Sequence, residues 1–140
     1  MARPVPNSTS SGCMRAAETI RAGVATIPEL TIAGAPTFLI SMLSEVVDIF
    51  HVNDYLAQRG WRLNGCQRPP GIHFCITLPQ TVPGVAERFI EDLRAAVGYA
   101  KHPAQPQAAS GAMYGLCGSA GGQAMLNEML FDFVDATYEP

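Results

Sequence analysis

Between Cys13 and Ile27 apolar residues recur at three- or four-residue steps, at Met14, Ala17, Ile20, Val24 and Ile27. That spacing places them on one face of a short amphipathic helix, which Pro28 ends. Glu29 to Ala33 and Thr37 to Leu43 are short β-prone runs separated by Gly34, Ala35 and Pro36, and they predict two strands. Asp48 supplies an N-cap, Ile49, Val52 and Leu56 an apolar stripe, and Gly60 a residue suited to the left-handed position past a helix end. A helix from Ile49 to Arg59 follows. Trp61 to Asn64 reads as a short strand and Gln67 to Gly71 (QRPPG) as a stiff connection. Ile72 to Leu78 alternates strictly, with Ile72, Phe74, Ile76 and Leu78 on one face and His73, Cys75 and Thr77 on the other. Thr81 as cap and Pro83 in the first turn open another helix. Its Val85, Phe89, Leu93 and Val97, with Ala86, Ile90 and Ala96 beside them, make a broad apolar face.

The two ends of the chain differ from this middle. Residues 1–12, rich in Pro, Ser and Thr, read as a loose arm, and residues 13–140 as a single small domain. Lys101 to Gly111 (KHPAQPQAASG) has the composition of a surface linker, and Tyr114 to Gly122 (YGLCGSAGG) that of a glycine-rich turn. A final helix carries Met125, Met129, Leu130, Phe133 and Val134 on one side, a pattern that fits core packing better than a cofactor site. From Thr37 onward the order is β-α-β-β-α with a helix at each end, which predicts an α+β fold: helices layered on a small, mostly antiparallel sheet.

Composition narrows the function classes. In 140 residues, 48% are apolar and only 15% charged, against roughly 25% charged in a typical domain. So little charge fits a surface that packs on something larger. The net charge of -3 and the lack of a basic run argue against nucleic-acid binding. No apolar run approaches a membrane span and the amino terminus has no signal core, so the chain reads as soluble and cytoplasmic. Lys101 is the only lysine. Cys13, Cys66, Cys75 and Cys117 are scattered without a CxxC, which suggests reduced, mostly buried thiols.

Candidate chemistry is sparse. His51 with Asp54 three residues on reads as a surface pair, and His102 in the linker as solvated. His73 lies on the strand face opposite the large apolar residues, where a histidine either hydrogen-bonds at the sheet surface or reaches a ligand or partner. Trp61 fits a packing anchor. Gly115, Gly118, Gly121 and Gly122 precede a helix, yet complete neither GxxxxGK[ST] nor GxGxxG, so a loop needing positive φ angles is the better reading. Tyr114 opens that loop.

Taken together, several segments resemble a known family. Asp48 to Asn64 (DIFHVNDYLAQRGWRLN), Gln67 to Thr77 (QRPPGIHFCIT), the helix from Val85 to Val97 and Ala112 to Tyr138 resemble the carboxy-terminal part of sphingosine-1-phosphate lyases. The resemblance runs from about Ala16 to Tyr138. Its most specific pieces are RGWxLN at Arg59 to Asn64, PPxIHFCIT at Pro69 to Thr77 and MYG at Met113 to Gly115. That family sits in the group-II decarboxylase branch of the pyridoxal-phosphate fold type I enzymes. It cleaves phosphorylated long-chain bases by a retro-aldol step, with the cofactor as electron sink.

The resemblance implies the small carboxy-terminal domain, which caps a larger cofactor domain and closes one side of the active-site cleft. The Schiff-base lysine, the histidine stacked on the cofactor and the aspartate at its pyridinium nitrogen belong upstream, and Lys101 does not match the first of these. No catalytic residue is therefore expected here, and no pyridoxal phosphate bound by this chain alone. Tyr114 is implied as a substrate-side phenol, with His73 and Gln67 as further cleft candidates, while no carboxylate-binding role carries over to Arg68. Ser44 to Val47 (SEVV) departs from the family's turn, the first helix is shorter than the family's interdomain helix, and Met1 to Ser11 match nothing. A truncated gene, a fragment or a split partner would each account for this.

Two functions of different classes follow. One is the small domain of a lyase, needing a cofactor domain or subunit as partner. The other is a free-standing dimerisation or docking module that uses its uncharged face. An autonomous hydrolase has no residue constellation behind it.

Overall fold

The computed structural model describes residues 8–35, 37–112 and 120–138. Four strands, β1 (Thr31–Ala33), β2 (Leu39–Leu43), β3 (Asn64–Gln67) and β4 (Pro70–Cys75), form one antiparallel sheet in the order β1-β2-β4-β3. Helices α1 (Ser8–Ala25), α2 (Ile49–Gln58) and α3 (Val85–Lys101) pack together over one face of it. A last helix, α4 (Ala120–Tyr138), follows. This is the α+β layering that the order of elements predicts.

Alternation along the strands sets which face is covered. Ile40 and Met42 on β2 and Ile72 and Phe74 on β4 are buried under the helices, whereas Leu39 and Cys75, next to them along the strands, are exposed. Trp61, Phe74 and Phe89 form the aromatic centre of the core. Phe74 and Phe89 stack at 4.4 Å, and the Trp61 ring meets both edge-on, at 6.0 and 5.1 Å. The indole Nε1 donates to Asp92 Oδ2 at 2.7 Å and the Arg88 guanidinium covers the ring at 4.7 Å, so the polar handle of this packing anchor is satisfied. Gly23 marks where α1 crosses α3. A Cβ there would run into the side chain of Ile90, so only glycine permits this approach.

Several boundaries differ from the sequence expectation, each for a local reason. α1 begins at Ser8, inside the stretch read as an arm, because Ser and Thr tolerate a helix start. β3 begins only at Asn64: the Trp61 amide instead donates to Leu56 O at 3.0 Å and closes the end of α2. The QRPPG segment is not a spacer but a tight hairpin, in which Gln67 pairs with Pro70 across the cis Arg68–Pro69 bond. The alternating run stops short of Leu78, which is 57% exposed. There the Gln80 side-chain oxygen accepts from both the Thr77 amide (2.8 Å) and hydroxyl (3.0 Å), starting a 3-10 turn over Leu78–Thr81. Thr81 belongs to that turn, and Gly84 at φ 83° caps α3 in its place.

The segment from Lys101 to Gly111 is anchored rather than a free linker. Lys101 is the last residue of α3 and is ion-paired with Glu29. The Asp54 carboxylate accepts from the Ala109 amide (2.6 Å) and the Ser110 amide (3.1 Å), which caps a helical turn at 109–112. α4 reverses another expectation. Its apolar side is not core: Met129 and Leu130 are 59% exposed and Phe133 69%.

Candidate functional site on the open sheet face

The face of the sheet away from the helices carries the candidate chemistry. His73 sits in the middle of β4, paired across the sheet with Ser41 of β2 and Asn64 of β3. Cys66 of β3 is half-buried, and its Sγ lies 3.1 Å from His73 Nδ1. The direct partner of Cys66 in the ladder is Gly71. With no side chain there, the sulfur reaches the diagonal neighbour His73. Cys75, two residues along β4, shares this face and is exposed.

The structure separates residues that the sequence grouped. Gln67 pairs with Pro70, one residue out of phase with His73, so the pleat assigns it to the opposite face. Tyr114, Cys117 and the glycine-rich turn up to Ser119 lie outside the described residues. His51 is not a surface partner of Asp54. It is buried, edge-on to Tyr99 at 6.3 Å, while Asp54 is engaged by the 109–110 amides. The three described cysteines are half-buried or exposed, not mostly buried. Nothing in the sequence expectation of a stiff QRPPG connection places Cys66 beside His73; the two-residue hairpin turn at Arg68 and Pro69 does, by pairing β3 with β4.

Lys101 lies at the far end of α3, where Glu29 holds its ammonium; this pairing in turn lowers the Glu29 carboxyl below the usual carboxylate range. Among the described residues no group of three or more His, Cys, Asp or Glu is placed to hold a metal ion. No helix among them is long and apolar enough to cross a membrane.

No family model matches the chain. Individual relatives do. It is 41% identical over 133 residues to the sphingosine-1-phosphate lyase of Arabidopsis thaliana, covering 92% of this chain and 24% of that protein. The Drosophila melanogaster sphingosine-1-phosphate lyase is 39% identical over 121 residues, covering 85% of this chain and 22% of its own length. Among solved structures, the Burkholderia pseudomallei sphingosine-1-phosphate lyase superposes with a TM-score of 0.68 at 37% identity, over 92% of this chain and 25% of that one. The chain therefore spans about a quarter of the length of the relatives it matches. The matched quarter is their carboxy-terminal part. By these identities and the shared fold, the chain is a homologue of the sphingosine-1-phosphate lyases over that carboxy-terminal segment.

Proposed function

We propose that the chain is the carboxy-terminal small domain of a pyridoxal-phosphate-dependent lyase that cleaves phosphorylated long-chain bases by a retro-aldol step. The match across 92% of this chain to a quarter of the Arabidopsis lyase carries this reading. Pyridoxal phosphate would supply the electron sink for carbon-carbon cleavage. The described residues do not build its site: the one lysine is tied to Glu29 at the foot of α3. The cofactor and the catalytic lysine belong to a larger domain or subunit, and this chain alone is inactive. Its contribution is to close the cleft, with Tyr114 the foremost substrate-side group, followed by His73 and Gln67. Because Gln67 and His73 lie on opposite faces, at most one of them meets the substrate directly.

A chimera tests this. Replacing the matched quarter of the Burkholderia pseudomallei lyase by this chain should preserve cleavage of sphingosine 1-phosphate. In that chimera Tyr114→Phe should slow turnover about a hundredfold, and Lys101→Ala should leave it unchanged. A folded chimera without cleavage would overturn the reading. The exposed apolar side of α4 favours a second reading, a free-standing dimerisation or docking module. Sedimentation of the 140-residue chain separates the two: a stable closed dimer supports the module, and a monomer that associates only with a cofactor domain supports the lyase.

A further inference from the structure

We infer that Cys66 and His73 form a nucleophilic pair that makes Cys66 a site of covalent modification by soft carbon electrophiles such as α,β-unsaturated carbonyl compounds. The geometry is that of a thiol with an adjacent general base. Sγ and Nδ1 are 3.1 Å apart, within reach for proton transfer. With its own proton on Nε2, the imidazole accepts the thiol hydrogen at Nδ1. Gly71, the ladder partner of Cys66, has no side chain to stand between the sulfur and His73, and the Leu43 side chain packs over it from β2.

The chain contains its own controls. Cys75 is on the same sheet face, two residues from His73, and more exposed, and Cys13 is half-buried on α1; among the described residues only the Cys66 sulfur is hydrogen-bonded to a histidine. Among the three described cysteines, accessibility alone would therefore make Cys75 the fastest thiol, and base assistance would make it Cys66. In the reaction the sulfur electron pair forms the bond to the β-carbon and the carbon-carbon π pair shifts toward the carbonyl oxygen. The thiol proton passes to His73 Nδ1 and from there to the α-carbon, so the addition needs no oxidant and expels no leaving group. The pair is complete within this chain.

Limited pulses of N-ethylmaleimide on the 140-residue chain at neutral pH, followed by peptide mass mapping, read the rate at each cysteine. Cys66 should label at least about tenfold faster than Cys75, and in urea the two rates should converge. His73→Gln, which keeps a polar side chain of similar size, should bring Cys66 down to the Cys75 rate. Equal labelling of Cys66 and Cys75 in the native chain would overturn the proposal, as would a Cys66 preference that survives urea. An unchanged Cys66 rate in folded His73→Gln would do the same. The native-to-urea comparison needs no variant, so it decides the matter even if His73→Gln does not fold.

Discussion

Helices α3 and α4 are nearly the same length, 17 and 19 residues, and both carry large apolar side chains, yet the fold uses them in opposite ways. On α3, Phe89 and Leu93 are fully buried against the sheet and the other helices. On α4, Phe131 and Phe133 are about 70% and 69% exposed. The difference lies in what stands opposite. The α3 side chains meet Trp61, Phe74 and the smooth backbone of α1 at Gly23. An apolar helix face acquires its energy only from a complementary surface. Among the described residues no such surface stands opposite α4, in a chain that spans about a quarter of the length of its relatives.

The sharpest way to break the comparison is truncation of matched aromatics. Phe89→Ala should destabilise the chain by about 3–5 kcal/mol in urea unfolding, from lost transfer energy plus a cavity. Phe133→Ala in the same assay should stay within about 0.5 kcal/mol; a loss as large as that of Phe89 would show that α4 is packed after all. Next, Gly23→Ala should cost about 1–3 kcal/mol by forcing α1 and α3 apart. In an Ile90→Ala background the same change should cost less, because the added methyl collides with the Ile90 γ and δ carbons that alanine lacks. A neutral Gly23→Ala would mean that the helices do not cross closely there.

The smallest effect concerns the rim of the covered layer, where Glu29 ties the end of α3 to the turn after α1. Lys101 lowers the Glu29 carboxyl chiefly through its hydrogen bond. The folded value lies below the unfolded one, so this stabilisation is present above the ordinary carboxylate range and is lost as pH falls through the folded value. Thermal melts of the native chain and Glu29→Gln should differ slightly at neutral pH and converge in acid. High salt should shrink the gap as well, since Lys101 is 46% exposed. A gap that widens in acid would refute the assignment.

Much of the fold could be read from periodicity because period two and period 3.6 leave distinct marks. Ile72, Phe74 and Ile76 are buried in the alternating run, and Phe89, Leu93 and Val97 line one side of α3. Asp48 caps α2 through its side chain, accepting from the Phe50 amide at 2.9 Å, and Gly60 has φ 88°, as a cap residue and a glycine past a helix end predict. The failures cluster where side chains compete with neighbours distant in sequence. Asp54 looked like a partner for His51, yet it caps amides 55 and 56 residues away. Leu78 looked like the next core residue, yet a local Gln80 hydrogen bond turns the chain first.

The sequence by itself determined the element order, the covered face of the central strands and, through its motifs, kinship with the sphingosine-1-phosphate lyases. These depend on local spacing and on residue identity, which a linear chain displays in full. Only the tertiary structure decided that Cys66 rather than Gln67 stands beside His73, that the sole lysine is held by Glu29, and that the large apolar side chains of α4 are left exposed among the described residues. Each of these is a contact, or a missing one, between segments brought together by strand register and helix packing, and register is fixed by the whole sheet rather than by any one strand.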